Sequence, residues 1–226
     1  LHGGQGDVIE IFSDANISSL LSDIICQSLL PTELGGVEAG ILIFSTDGNL
    51  NIGILLETFK SKLIKCLTES SSDCNLDIND TDVLFEASLQ KLFLVEIFDV
   101  TEFYVTLQNL ENILLKNCNI SFVIFDTLTA FYWSEQNYKI CSMDLYIKSF
   151  LKVIKKITKD YKITVLYTRP EYFHSAKEVE SLSLEELNYR IQISYVSNAT
   201  YEVVVRTHDK QVKRHFNVCN GFIQWL

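Results

Sequence analysis

Residues 120 to 133 read I-S-F-V-I-F-D-T-L-T-A-F-Y-W. Ile120, Phe122, Val123, Ile124 and Phe125 make an apolar run of strand length, rich in β-branched and aromatic side chains, that stops abruptly at Asp126 and Thr127. A strand apolar at consecutive positions is buried on both faces, as in a parallel sheet covered by helices, and this one carries a carboxylate at its C-terminal end. Ligands of open α/β sheets bind outside the carboxyl ends of the strands. Asp126 therefore stands where a phosphate-bound magnesium ion is held in nucleotide enzymes, or where an aspartate simply caps the next turn.

The sequence upstream alternates strands with helices. Asp7 to Phe12 (D-V-I-E-I-F) follows Gly3, Gly4 and Gly6 and reads as a first strand entered from a tight turn. Leu20, Leu21, Ile24, Ile25 and Leu29 then recur at helical spacing up to Pro31. Gly40 to Asp47 (G-I-L-I-F-S-T-D) is a second buried strand, followed by a helix over about Leu50 to Leu67 with Ile52, Leu55, Leu56, Phe59 and Leu63 on one side. Glu69 to Asp80 is polar and acidic and reads as an exposed loop, Asp82 to Gln90 as a short helix, and Leu92 to Phe98 as a third strand. Phe103 to Lys116 forms a helix with Leu107, Leu110, Leu114 and Leu115 inward, leading into the strand that ends at Asp126.

Downstream, Ser134 to Ser142 reads as a surface loop and Met143 to Tyr161 as an amphipathic helix with Leu145, Phe150, Leu151, Ile154 and Ile157 towards the sheet. Lys148, Lys152, Lys155, Lys156, Lys159 and Lys162 make its other face the basic stretch of the chain, a solvated face first and a phosphate or acidic-partner site second. Ile163 to Thr168 is the fifth core strand, closed by Arg169 and Pro170. From Arg169 to Leu187 periodicity is lost, and two basic against five acidic side chains leave a net charge of −3. Alternation then takes over at Asn188 to Ser194, Tyr201 to Arg206, His215 to Val218 and Phe222 to Leu226, with turns at Asn198 and at Cys219-Asn220-Gly221. The order predicts an α/β fold: a mixed sheet with a parallel core flanked by helices and a C-terminal antiparallel meander, in one domain over residues 1 to 226.

The strand, loop and helix at the start have the order of a phosphate-binding loop without its chemistry. Such a loop needs G-x-x-x-x-G-K-[ST], so that backbone N–H groups close on the phosphates, the lysine neutralises them and the hydroxyl reaches magnesium. Residues 13 to 19 contain neither glycine nor lysine. Ser18 or Ser19 offers a hydroxyl at a helix N-terminus, or serves only as a first-turn residue.

Composition narrows the choices further. The 226 residues are 47% apolar with only 2 prolines, which excludes extended disorder. A formal net charge of −10, from 19 basic and 29 acidic side chains, repels phosphate backbones and argues against nucleic-acid binding by this chain alone. Six cysteines (Cys26, Cys66, Cys74, Cys118, Cys141, Cys219) show no C-x-x-C pair and read as small core residues of a reduced compartment. His2, His174, His208 and His215 lack metal-ligand spacing, and no apolar run reaches the roughly 18 residues of a membrane span.

Four ordered stretches resemble the RecA-like recombinase paralogue family: Gly3 to Phe12, Leu29 to Gly36 (L-L-P-T-E-L-G-G), Ile41 to Asp47 and Phe122 to Trp133. The resemblance implies a RecA-like P-loop core with no separate N-terminal domain. It places Asp126 on the family's Walker B aspartate and Asp47 where active members carry the glutamate that orients the attacking water, one methylene shorter here. It puts Pro170 where the family has a polar sensor. With the Walker A loop lacking its lysine, Ser18, Ser19, Asp47 and Asp126 become vestigial nucleotide-site positions, with no catalytic residue, metal or bound cofactor expected. By this resemblance the chain would be a non-catalytic scaffold subunit of a nuclear recombinase-paralogue complex supporting homologous recombination and double-strand break repair. Its partner would be another recombinase paralogue of the D type, which alone would carry ATP and magnesium, and DNA would be bound only weakly or indirectly. Two other readings fit the same residues: an active P-loop ATPase using an unorthodox loop at Ser13 to Ser19, and an unrelated α/β enzyme or regulatory domain.

Overall fold

The computed structural model describes residues 6–13, 15, 17–70, 78–136, 141–170, 187–219 and 222–226. These form a nine-stranded sheet in the order β3-β2-β4-β5-β1-β6-β7-β8-β9. The strands are β1 (Val8–Ser13), β2 (Gly40–Ser45), β3 (Leu92–Glu96), β4 (Ile120–Asp126), β5 (Thr164–Pro170), β6 (Tyr189–Ser197), β7 (Thr200–Arg206), β8 (Gln211–Cys219) and β9 (Phe222–Trp225). From β3 to β6 all neighbours are parallel, and from β6 to β9 all are antiparallel. The predicted α/β architecture is therefore present, with β6 serving both parts: it closes the parallel core beside β1 and opens the meander. Asn198 and Ala199, both at positive φ, make the β6–β7 turn, as two-residue hairpin turns require.

Alternating side chains of the central strands sort into two cores. Ile9, Ile11, Ile41, Ile43, Ile124 and Leu166 pack under α1 (Ser18–Leu29) and α2 (Ile52–Ser70). On the other face Val8, Leu42, Phe44, Val123, Phe125 and Tyr167 pack against Phe103, Leu107, Leu110 and Leu114 of a long helix, Val100–Lys116, and against Phe150, Leu151 and Ile154 of another, Met143–Thr158. In chain order these two are α4 and α6, with α3 (Ile78–Leu89) and the single turn α5 (Tyr132–Glu135) before each of them. Gly40 is required where β2 meets β4, because a Cβ there would lie 2.4 Å from the Asn119 carbonyl oxygen.

Several sequence expectations are corrected by helix phase. Leu115 and Leu145 point to solvent, 62% and 60% exposed, because the buried stripes of α4 and α6 run through Leu107, Leu110, Leu114 and through Tyr146, Phe150, Ile154. Each of the two leucines is one residue, about 100° of helical rotation, off its stripe. Residues 78 to 80 belong to α3 rather than to the acidic loop, and Tyr132–Glu135 adds a turn of helix inside the segment read as loop. Cysteine placement also differs: Cys26 is a core residue, whereas Cys118 and Cys219 are exposed, and the five described cysteines are free thiols. The acidic segment at 171–186, Gly3, Gly4, Asp14, Asn16, residues 71–77 with Cys74, residues 137–140 with Tyr138, and the Asn220-Gly221 turn lie outside the described residues.

A charged cluster that the sequence did not disclose runs through the sheet. Glu10 on β1, fully buried, pairs in register with Tyr167 on β5 and Arg190 on β6. Its Oε2 accepts from Arg190 Nε at 2.6 Å and its Oε1 from the Tyr167 hydroxyl at 2.9 Å. Arg169 Nε lies 3.0 Å from Oε1 but off the line of its N–H, so that contact is an ion pair without a hydrogen bond. Arg169 also reaches Asp144 on α6 through Nη1 at 2.9 Å and lies over the Phe12 ring, 5.6 Å from its centroid. Two carboxylates thus balance two guanidiniums. Removing one partner from such a cluster leaves an uncompensated buried charge. Glu10→Gln should lower unfolding free energy by about 3–5 kcal/mol in urea titrations. Lys60→Ala, which breaks the half-exposed pair with Asp82, should cost under about 1 kcal/mol.

Candidate functional site

At the carboxyl ends of β1, β4 and β5 lies a cleft of about 250 Å³, lined by Ser13, Ile17, Ser18, Asp47, Asn49, Asp126, Thr168, Arg169 and Pro170 among others. Strand order builds it: β5 is inserted between β1 and β4, so the end of β5 is wedged between the β1–α1 connection and Asp126. The structure brings Ser18, Asp47 and Asp126 together here, and Pro170 with them. Ser19, predicted as an equivalent of Ser18, does not line the cleft.

The end of β4 is held by threonines. Thr46 N–H donates to the Asp126 carbonyl at 2.8 Å, Thr127 N–H donates to Thr46 Oγ1 at 2.8 Å, and Thr46 Oγ1 donates to the Thr127 carbonyl at 2.7 Å. Thr127 Oγ1 makes a short contact to the Thr168 carbonyl. The Thr168 hydroxyl donates to Asp126 Oδ1 at 2.7 Å. Thr168, two residues before Pro170, is therefore the polar residue that β5 turns towards the aspartate. The resemblance put the family's sensor position at Pro170, which has no polar group; the signal for Thr168 was only a hydroxyl at an alternate position of the same strand.

Asp126 is buried, and burial pushes its carboxyl from the usual value of 3.8 up to about 6. The Thr168 hydrogen bond opposes this rise and the nearby Asp47 carboxylate adds to it. Asp47 in turn accepts from the Asn49 N–H at 3.0 Å and from its side-chain amide at 2.5 Å. Ser18 Oγ donates to the Asn49 carbonyl at 2.9 Å, so its hydroxyl hydrogen is directed to backbone. Ser13 Oγ donates to the Ile193 carbonyl on β6 at 3.1 Å and accepts from Ala15 N–H at 3.0 Å.

This donor set is a poor match for a magnesium-bound triphosphate. Only four residues separate the end of β1 from the start of α1, and none is glycine or lysine. Two carboxylates face the cleft, and the one basic residue among its described lining, Arg169, is already balanced by Glu10 and Asp144. Phosphate oxygens without a metal would meet net negative charge among the described lining residues. Among the described residues there is also no group of three or more His, Cys, Asp or Glu side chains that could hold a metal ion, and no helix is long and apolar enough to cross a membrane.

No family model matches the chain. It is similar to the DNA repair protein XRCC2 of Mus musculus, 19% identical over 169 residues that cover 73% of this chain and 56% of that protein. The chain spans just over half the length of that curated relative. The fold is in keeping with that similarity, a RecA-like α/β architecture with a parallel core, flanking helices and antiparallel C-terminal strands.

The raised Asp126 pKa sets a pH dependence that Asp126→Asn tests, since asparagine still accepts from Thr168. The fold favours the protonated carboxyl, so its contribution is intact below pH 3.8 and is lost as pH rises towards 6. In EDTA, Asp126→Asn should match the parent near pH 4 and exceed it in urea stability at pH 7.5, by at most about 3 kcal/mol. A parent more stable than the variant at pH 7.5 would mean the ionised carboxylate is favourably solvated there.

Proposed function

We propose that this chain is a non-catalytic recombinase paralogue, a scaffold subunit that supports homologous recombination and double-strand break repair in the nucleus by binding a sister paralogue. The observation that carries the reading is the four-residue connection between β1 and α1, without glycine or lysine, facing a β4 that keeps its aspartate. Phosphoryl transfer depends almost wholly on positioning and on neutralising charge, and neither is supplied on the β1 side of the cleft. The distant similarity to a DNA repair protein supports the biological setting. In this reading ATP and magnesium belong to the partner, a recombinase paralogue of the D type, whose ATP-binding domain packs against this chain. The net charge of −10 favours protein over DNA as the direct contact.

Co-expression with a D-type recombinase paralogue should give a complex that survives size-exclusion chromatography. Failure to co-purify with any recombinase paralogue would remove the scaffold reading. With the isolated chain, millimolar ATP and magnesium should leave the thermal midpoint unchanged. A rise in midpoint that Asp126→Ala abolishes would instead establish a working nucleotide site.

A further inference from the structure

The last four strands have no helix of their own: every described element after β5 is a strand. Ile191 and Ile193 on β6, and opposite them Val205 and Val203 on β7, turn to the face covered by α1, which also packs on Ile9 and Ile11 of β1. β9 nevertheless contacts α1, although four strand spacings, roughly 19 Å, separate it from β1 and a helix is only about 10–12 Å across. The end of the sheet therefore curls over α1 and leaves a space above β7, a pocket of about 500 Å³ against 250 Å³ for the cleft. It shares no lining residue with the cleft, and α1, the β6–β7 hairpin and β9, which build it, are described throughout.

Leu20, Ile191 and Val203 are buried at its floor, and Trp225, 54% exposed at its rim, is braced against the Phe216 ring at 5.5 Å. Native interiors leave few voids larger than a water molecule, and this space lies in the range of small-molecule sites, about 300–1,000 Å³. Apolar cavities take up apolar guests. The helices supply a polar side. Lys62 Nζ on α2 donates to Asp23 Oδ1 on α1 at 2.8 Å, both side chains being mostly buried. Gln27 Nε2 and Ser28 Oγ donate to the Gly35 and Ile24 carbonyls, each at 2.8 Å. Asp23 and Lys62 are the only formal charges of the described lining and balance each other, so a charged ligand would bring an uncompensated charge into the pocket. The pair keeps one carboxylate oxygen, Asp23 Oδ2, and further Lys62 N–H groups for a ligand group that both donates and accepts.

We propose that this pocket binds a small uncharged molecule with an apolar body and one hydroxyl or amide group. The body lies against Val203, Val205 and Ile223, and the polar group accepts from Lys62 and donates to Asp23 Oδ2. A carboxylate in the same place would face Asp23 and an ammonium would face Lys62, each at the expense of the existing pair. Such binding goes beyond the scaffold reading and would occur whether or not the chain is a subunit of a recombinase-paralogue complex.

The test uses the full chain, with Trp133→Phe so that Trp225 is the remaining fluorescent tryptophan, and three probes that share one apolar body: 1-adamantanol, 1-adamantanecarboxylate and 1-adamantylammonium. Followed by fluorescence and calorimetry, 1-adamantanol should bind saturably with Kd on the order of 0.1 mM, and both ions at least about fivefold more weakly. Val205→Trp, which fills the pocket from β7, should weaken the alcohol about tenfold or more. Lys62→Met, which removes the donor, should weaken it several-fold, with circular dichroism showing each variant folded. Lys62→Met keeps the test decisive if Val205→Trp does not fold. Absence of saturable binding, binding of either ion as tight as the alcohol, or binding unchanged by both substitutions would overturn the proposal.

Discussion

Glu10 sits on β1, the middle strand of the nine-stranded sheet, and a carboxylate buried there is tolerable only if cations are brought to it. Arg190 and Tyr167 meet it across two strand pairings, and Arg169 links it to Asp144 on α6. The cluster fixes the register of β5 and β6 on either side of β1 and ties α6 to the sheet. A slip of one residue in either pairing would carry the partner to the opposite face and strand the charge. Apolar packing between isoleucines, leucines and valines is permissive about register; a buried charge with directional partners is not.

The same cluster shapes the cleft beside it. Arg169 is the one basic residue among the described lining of the cleft, and its guanidinium is committed to Glu10 and Asp144 rather than to the space above Asp126. Among the described residues Asp126 meets a neutral hydroxyl from Thr168, and burial, with Asp47 adding negative potential, displaces its carboxyl towards the protonated form. A strand end that could present a carboxylate to a cation is thereby stitched to its neighbours by Thr46, Thr127 and Thr168. These contacts make the end of β4 a structural junction of the sheet.

Charge is also partitioned along α6. Its lysines lie on the outer face and towards its C-terminal end, while its N-terminal turn contributes Asp144 to the buried cluster and Tyr146 to ring contacts with Tyr132 and Phe150. Ser142 caps that turn, its hydroxyl accepting from the Leu145 N–H at 3.3 Å, and so fixes the phase that turns Tyr146 inward and Leu145 outward. One capping residue thus decides which side chain enters the core and which faces solvent.

The sequence by itself determined the order of elements, the parallel core with an antiparallel end, and the deficiency of the first loop. Apolar runs, helical spacing and missing glycines or lysines are local properties, readable without knowing what packs where. It also marked Asp126 as the end of the central strand. Only the tertiary structure decided what surrounds these residues. Glu10 finds its partners 157 and 180 residues away, through pairings that no local pattern encodes. Leu115 and Leu145 are apolar yet exposed, because periodicity locates a stripe only to within a residue. Thr168 became the partner of Asp126 because β5 is inserted between β1 and β4. Such roles are set by proximity in the folded chain, which depends on strand order and helix phase rather than on residue type.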